Sequence, residues 1–380
     1  MAHLWHIIKA VSIIYPVETG GIVLAPRQVN PISHLRSAEM QKGIRIVVSG
    51  LLLTMLITGA LMASPAAEKP MEVTVYASVD EANAKKILNA FTEDTGIQAA
   101  FVHLSSGPAL ARIEAEAANP QADVWMGAPS ENHIIAKNNG LTIAYKSPND
   151  AALASAFRDP DSYWRSFYMN PLAFGIHTEA LERSGAAMPT SWEDLTKPEY
   201  KGLIQAPTPQ ASGTAYSIMT TLITIFGEDD GINLMARINP NIQTYTSSGT
   251  GPSKGVAVGQ AAIGIQFTPA FFQSIDEGFP VAVVFPSEGV GYEAPAVSIL
   301  KGAPNEEAAK QLIDWLVSKT GQDALSEQKT YFYPVNPEAA LGPGMPAFDS
   351  LKTIDVDVQW AGENKSRLVD RWVNEVLTAE

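Results

Sequence analysis

The sequence has no cysteine and little charge: 17% of its 380 residues are charged. Without cysteine the chain forms no disulfide, zinc–thiolate site, thiol nucleophile or lipidated lipoprotein anchor. Acidic residues outnumber basic ones by 40 to 26, and the formal net charge is −14. Because phosphates would be repelled, we expect neither nucleic acid nor an anionic membrane surface as the main partner. The 46% hydrophobic content excludes a disordered chain.

Catalytic signatures are also missing. The sequence contains no His-Glu-x-x-His motif, no phosphate loop ending in Gly-Lys-Ser/Thr and no complete dinucleotide fingerprint. Beyond residue 66 the histidines are His103, His133 and His177, which are scattered along the chain. A hydrolase would need a recognisable nucleophile and base. We therefore predict that the protein is not an enzyme and uses no cofactor.

One N-terminal segment has the order of a secretory signal peptide. A basic start at residues 40–45 precedes an apolar run at 46–63 and small residues at 63–67. A retained membrane anchor is the alternative, since eighteen residues can just span a bilayer. We expect cleavage after Ala63, Ala66 or Ala67, and we interpret residues 1–39 as an extension upstream of the true start at Met40. The mature protein would be periplasmic, more acidic than the full chain and not lipid-anchored.

Strand-like and helix-like segments alternate beyond residue 70. Short β-rich runs lie at 73–77, 97–103 and 122–126, and helical patterns lie at 81–95, 108–118 and 130–138. This alternation predicts a parallel α/β sheet, which binds ligands at the carboxyl ends of its strands. A second unit begins at residues 171–177, and we expect the strands at 281–285 and 296–300 to return to the first unit. The sequence thus predicts two α/β lobes joined by crossing strands.

Several segments resemble one protein family in their order and spacing. They are QADVW at 121–125, PLAFG at 171–175, WEDL at 192–195, TSSGTG at 246–251, EGVGYE at 288–293, and KGAPNEEAAK followed by LIDWL at 301–316. Over residues 72–335 the chain resembles periplasmic solute-binding proteins of ABC importers, most closely the branch that binds ferric ion and sugar phosphates. The resemblance implies a class II two-lobed fold that closes on a ligand in the cleft between its lobes and delivers it to a membrane permease.

The lobe boundaries follow from this pattern. We assign residues 67–170 and 290–330 to the first lobe and residues 171–289 and 331–380 to the second, with the signal peptide at 40–66. We expect a monomer. A sensory domain that acts through a partner protein would have the same fold and is a further alternative.

Three loops share a design suited to an anion. Each puts hydroxyls and glycine at a predicted helix start, where unpaired N–H groups and the helix dipole favour negative charge. Their residues are Ser105, Ser106 and Gly107; Ser212, Gly213 and Thr214; and Ser247, Ser248, Gly249 and Thr250. An ordinary helix cap is the competing interpretation of each loop. Taken together, they predict a small organic anion, phosphorylated or carboxylated, as the ligand.

Other polar residues complete the predicted site. Ser78 directly follows the first strand and would contact the ligand or cap a helix. Gln266 and Thr268, at the end of the strand near residue 265, suit hydroxyl or carboxylate oxygens. Glu288 and Glu293 bracket a turn. Each could be a solvated charge or could accept hydrogen bonds from the ligand. Of this loop we select Glu288 and Tyr292, although Tyr292 could instead pack under the hinge.

Ferric ion is the alternative ligand. Ferric binders of the resembled branch use adjacent tyrosines from the second lobe, whereas the matching segment here is GIQFTPA at 264–270 and has none. Sugar-phosphate binders of that branch carry a His-Asp pair where this chain has Thr268 and Pro269. The sequence departs from both patterns. We therefore predict no metal site and leave the identity of the anion open.

Overall fold

The structure is a computed structural model, which describes residues 71–378. Its strands are β1 (Glu72–Ser78), β2 (Gln98–His103), β3 (Val124–Gly127), β4 (Thr142–Ile143), β5 (Arg165–Ser166), β6 (Asn170–His177), β7 (Ile204–Pro207), β8 (Ile242–Thr246), β9 (Ile263–Phe267), β10 (Val281–Val284), β11 (Val290–Glu293), β12 (Ala296–Leu300) and β13 (Thr353–Ile354). The predicted signal peptide at residues 40–66 and the extension at 1–39 lie outside the described residues.

Helices connect most of these strands. They are α1 (Glu81–Thr95), α2 (Ser106–Ala115), α3 (Ser130–Asn138), α4 (Thr178–Ser184), α5 (Gly213–Phe226), α6 (Glu228–Ile238), α7 (Gly251–Ala257), α8 (Pro269–Asp276), α9 (Glu306–Val317), α10 (Lys319–Glu327) and α11 (Val358–Trp372). Short 3-10 turns occur at Asp150–Ala152, Ser155–Phe157, Glu193–Thr196, Pro198–Tyr200, Asn239–Asn241 and Phe348–Ser350, and a π-helical turn, Val373–Leu377, follows α11.

The first sheet has the strand order β2-β1-β3-β12-β4, with β5 also paired to β12. Strand β1 runs parallel to β2 and β3, as the strand–helix alternation predicted, whereas β12 is antiparallel to β3. Helix α9 covers this sheet with an apolar stripe in which Ala309, Leu312, Ile313 and Leu316 are buried. These residues follow the i, i+3, i+4, i+7 spacing of one helix face.

The second sheet has the order β13-β11-β6-β9-β7-β8, with β10 also paired to β6. The prediction that residues 281–285 return to the first unit is wrong, because β10 pairs antiparallel with β6. Strand β9 flanks the other side of β6, so the short helix α8 carries the chain between two strands of one sheet. Strand β12 does return to the first sheet, as predicted.

Two hydrophobic cores correspond to the two sheets. The first is built around Phe91 and Leu312, and the second around Phe174 and Trp372. The packing departs from the expected lobe boundaries at two places. Strand β11 pairs with β6 in the second sheet, and residues 331–335 pack in the first core. Gln322 explains the second difference, since its Oε1 accepts a hydrogen bond from the N–H of Val335 at 2.8 Å.

Candidate functional site

A cavity of about 560 Å³ lies where the two sheets face each other. Its polar lining from the first sheet and α1 consists of Ser78, Asp80 and Asn83, and that from the second sheet and its helices includes Thr214, Gly249, Thr250, Ser253 and Gln266. Asn170 and Glu293, on the paired strands β6 and β11, also line it. Apolar contacts come from Val79, Tyr168, Phe267, Phe279 and Phe332. The cavity is large enough for a metabolite-sized ligand.

Two of the three predicted anion loops meet at this cavity. A Cβ atom on Gly249 would lie 2.2 Å from Oγ1 of Thr214 and 3.1 Å from Oγ of Ser212. The two loops therefore touch, and only glycine allows this approach without displacing Thr214. Ser212 caps α5 through Oγ, which accepts a hydrogen bond from the N–H of Ala215 at 3.4 Å.

The loops differ in how much of them faces the cavity. Thr214, Gly249 and Thr250 line it, whereas Ser212, Gly213, Ser247 and Ser248 lie outside its lining. Ser248 organises its own loop instead, because its Oγ accepts a hydrogen bond from the N–H of Thr250 at 3.3 Å.

The remaining predicted loop contributes no residue to the cavity lining. Ser105, Ser106 and Gly107 open α2, where Ser105 is exposed and makes no capping hydrogen bond through its side chain. The reason lies in the strand order. The loop follows β2, which is the edge strand of the first sheet, whereas Ser78 at the end of the neighbouring β1 lines the cavity.

Strand alternation separates the residues of the 288–293 segment. Tyr292 and Glu293 are neighbours on β11, so their side chains leave opposite faces of the strand. Glu293 lines the cavity, whereas Tyr292 lies outside its lining and donates a hydrogen bond to Oδ1 of Asp355 at 2.7 Å. Burial, with a further contribution from the hydrogen bond to Asp355, raises the pKa of Tyr292.

Glu288 has a structural role outside the cavity lining. Its carboxylate accepts hydrogen bonds from the backbone N–H groups of Trp192 at 3.1 Å and Glu193 at 3.2 Å. These contacts cap the 3-10 turn Glu193–Thr196, where a carboxylate is favourable. Of the two glutamates that bracket the turn, the structure brings Glu293 rather than Glu288 to the cavity.

Gln266 and Thr268 are two positions apart in sequence but face different surroundings. Gln266 lines the cavity, and its Oε1 accepts a hydrogen bond from the N–H of Ser253 at 2.8 Å. It thereby braces the first turn of α7. Thr268 is fully buried outside the cavity lining, and its Oγ1 has no hydrogen-bond partner among the described residues.

Glu293 is a carboxyl group in the cavity lining whose pKa is strongly raised by burial. Nδ2 of Asn170 donates a hydrogen bond to its Oε1 at 2.9 Å. Burial raises the pKa of Glu293 to about 7, with a smaller contribution from the negative charge of Glu131, while the hydrogen bond from Asn170 opposes the rise. Near neutral pH this group can both donate and accept hydrogen bonds.

The close tyrosine pair in the sequence belongs to the first core. Tyr331 and Tyr333 are buried, whereas Phe332 between them lines the cavity. Burial raises the pKa of Tyr331 to about 12 and raises that of Tyr333 as well. Both phenols therefore stay protonated at neutral pH. Across residues 71–378, no group of three or more His, Cys, Asp or Glu side chains is arranged to hold a metal ion.

Comparison with known proteins defines the class to which this fold and cavity belong. Residues 119–359 match the family described as bacterial extracellular solute-binding protein. An uncharacterized protein of Haemophilus influenzae is 36% identical over 86% of this chain and 97% of its own length. A putative 2-aminoethylphosphonate-binding periplasmic protein of Salmonella paratyphi A is 26% identical over 63% of this chain and 70% of its own.

A solved structure is similar over nearly the whole described chain. The periplasmic binding protein AfuA from Actinobacillus pleuropneumoniae, with exogenous fructose-6-phosphate bound, aligns with a TM-score of 0.74 and 34% sequence identity. The alignment covers 82% of this chain and all of AfuA. The chain belongs to the bacterial extracellular solute-binding protein family. It is a substrate-binding component of an ABC transporter and not an enzyme, and its relatives are periplasmic.

Between residues 71 and 378 no helix is both long and apolar enough to cross a membrane.

Proposed function

We propose that this protein captures a small phosphorylated or carboxylated organic anion in the 560 Å³ cavity and delivers it to an inner-membrane permease. The two cores define the two lobes, which close on the ligand by a hinge motion where β6 and β11 cross between them. We further propose export through a cleaved signal peptide and action as a monomer.

The observation that carries this proposal is the contact between the first turn of α5 and the loop at Gly249. Helix α5 is 14 residues long, and its first N–H groups have no acceptor within the helix. The partial positive charge of a helix start favours an anion. Thr214 and Thr250 add hydroxyl donors at the same place, and Gly249 lets the Thr214 side chain approach the second loop closely.

The remainder of the ligand would lie against the other polar residues of the cavity. Asn83 extends from α1, and the Asn170–Glu293 pair lies on the crossing strands. These groups suit hydroxyl or amino substituents. The fructose-6-phosphate in the AfuA structure and the 2-aminoethylphosphonate for which the Salmonella relative is named both support a phosphorus-containing acid as the ligand class.

Isothermal titration calorimetry on protein purified after expression of the full chain tests the proposal. We expect binding of fructose 6-phosphate or 2-aminoethylphosphonate, and no binding of fructose or ethanolamine, which lack the acidic group. Small-angle X-ray scattering should show a smaller radius of gyration with the bound anion. Binding of ferric citrate alone, with a tyrosinate colour, would instead identify an iron carrier.

Gly249→Ala tests the location of the anion site. The added methyl group must displace Thr214, so we expect affinity for the anion to fall by about tenfold or more, equivalent to about 1.4 kcal/mol. Gly107→Ala is the matched control, because a Cβ there meets no atom within 4 Å and its loop lies outside the cavity lining. Equal affinities of the two variants would place the anion elsewhere.

A further inference from the structure

Ser78 receives a hydrogen bond that determines how its hydroxyl can act. Strands β1 and β3 are parallel neighbours in which Ser78 is in register with Gly127. From β3, Nε1 of Trp125 donates a hydrogen bond to Oγ of Ser78 at 3.0 Å. An indole N–H can only donate, so Oγ of Ser78 must be the acceptor in this contact.

The proton of the Ser78 hydroxyl is left for another acceptor. Ser78 ends β1 and lines the cavity. Within the described chain, no side chain or backbone carbonyl accepts a hydrogen bond from its Oγ. A serine hydroxyl has one O–H to donate and two lone pairs that accept. Trp125 uses one lone pair. The O–H has no acceptor among the described residues and is available to a ligand in the cavity.

Trp125 is itself held in one orientation. It is fully buried and stacks on His133 with ring centroids 4.3 Å apart. His133 is also fully buried, and its Nε2 lies 2.6 Å from the carbonyl oxygen of Gly127, so Nε2 must carry the proton. Its Nδ1 then accepts from Oγ of Ser298 at 2.8 Å. Burial lowers the pKa of His133 to about 4, so the ring stays neutral.

The backbone beside Ser78 is fixed by the same group of residues. Gly127 has a positive φ of 87° and packs against the chain at Ser78 and Val79, where a Cβ would lie 2.8 Å from the nitrogen of Val79. Its carbonyl is the one held by His133. Both the main chain and the hydroxyl of Ser78 are therefore positioned from β3.

We propose that Trp125 is a positioning residue that presents Ser78 as a hydrogen-bond donor to an acceptor oxygen of the ligand. This inference rests on the proposed function. It assigns a preference to this part of the cavity: a phosphoryl, carboxylate or carbonyl oxygen of the ligand accepts the hydrogen bond from Ser78. The buried His133 and Ser298 support Trp125 and do not themselves touch the ligand.

A double-mutant cycle tests the inference on protein purified from the full chain. Trp125→Phe keeps an aromatic ring against His133 and removes the N–H, and Ser78→Ala removes the hydroxyl. We expect each to weaken binding of fructose 6-phosphate or 2-aminoethylphosphonate about tenfold, and the double variant to be no weaker than Ser78→Ala. Non-additive losses distinguish positioning from a general structural role.

Trp192→Phe is the matched control. Trp192 is fully buried, and its Nε1 donates to the carbonyl oxygen of Gly289 at 2.9 Å, outside the cavity lining. This variant loses a comparable hydrogen bond and should bind like the wild type. The inference is wrong if Trp125→Phe also binds like the wild type. It is also wrong if the affinity of the double variant falls about 100-fold, the product of two independent tenfold losses.

A measurement without ligand covers the case in which Trp125→Phe does not fold. In ¹⁵N-labelled protein, Ser78→Ala should shift the indole N–H resonance of Trp125 and speed its exchange with water. An unchanged resonance would overturn the inference. If the wild type binds none of the tested anions, the proposed function fails and this inference fails with it. If the wild type binds an anion and only the Trp125 and Ser78 variants depart from the expected affinities, the inference alone fails.

Discussion

Half-buried Glu293 and fully buried His133 are titratable residues whose contributions to stability change with pH in opposite directions. Folded Glu293 keeps its proton up to about pH 7, whereas the unfolded side chain loses it near 4.5. Its contribution is therefore complete below pH 4.5 and is lost as the pH rises to 7. His133, with a pKa near 4 instead of 6.5, stabilises the fold above pH 6.5 and loses this effect as the pH falls to 4.

The first prediction concerns Glu293→Gln. Without the carboxyl, stability should no longer decline between pH 4.5 and 7, so the variant should gain about 2 kcal/mol relative to the wild type at pH 8 compared with pH 4.5. The full pKa difference would correspond to about 3 kcal/mol, and the partial solvent exposure of Glu293 reduces it. Urea unfolding at several pH values measures the difference.

The same variant should reveal the contribution of His133. Between pH 4.5 and 6.5 the opposing slope of Glu293 is removed, so unfolding free energy should rise more steeply with pH than in the wild type. Glu277→Gln is the control, because this cavity residue is solvent-exposed. Parallel profiles for the wild type and Glu293→Gln would show that Glu293 titrates as it does in the unfolded chain.

At the scale of elements, a buried ion pair joins β5 to the 3-10 turn Asp150–Ala152. Nε of Arg165 donates to Oδ1 of Asp150 at 2.8 Å, and the two side chains are 1% and 6% exposed. Arg165 also donates to the carbonyl oxygens of Tyr145 and Ser162. The guanidinium thus ties the 145–165 loop region to the edge of the first sheet.

Removing one partner of this pair should be costly. Arg165→Met leaves the Asp150 carboxylate buried without its cation, for which we expect a loss of about 3–5 kcal/mol in unfolding free energy by urea denaturation. Arg237→Met breaks the exposed pair with Glu193 and should cost at most about 1 kcal/mol. Equal losses would mean that the Arg165–Asp150 pair is hydrated rather than buried. Asp150→Leu added to Arg165→Met should recover part of the loss.

At the scale of the whole molecule, two lobes share a boundary that the chain crosses repeatedly. The paired residues Asn170 and Glu293 lie on crossing strands and both line the cavity. In the proposed function, a ligand that contacts them would touch the strands about which the lobes close. We expect this contact to link occupancy of the cavity to closure.

Export of the whole chain is a separate prediction. When the full sequence is expressed in a Gram-negative host, we expect the protein in the periplasmic fraction with an N-terminus between residues 64 and 68. Intact-mass spectrometry of the purified protein measures this end. A mass that includes residues 46–63, with the protein in the membrane fraction, would show a retained anchor instead.

Sequence patterns predicted much of the fold and part of the site. The alternation of β-rich and helical segments was enough to predict the parallel strands β1, β2 and β3, because local periodicity reflects which face of an element is buried. The glycine–hydroxyl loops at Thr214 and Gly249 were recognisable because helix starts require particular residues. The position of a strand within its sheet was not recognisable from the sequence. The loop at Ser105 therefore looked equivalent to the other two loops, although it follows the edge strand β2.

The amino-acid sequence by itself determined the class of protein, the order of its elements and the residue types available to hold an anion, since these depend on composition and local spacing. Tertiary structure decided which of those residues share a cavity. It selected Glu293 over Tyr292 because adjacent strand residues face opposite sides. It also placed Trp125 against Ser78, a contact between residues 47 positions apart, because strand register depends on packing of the whole sheet.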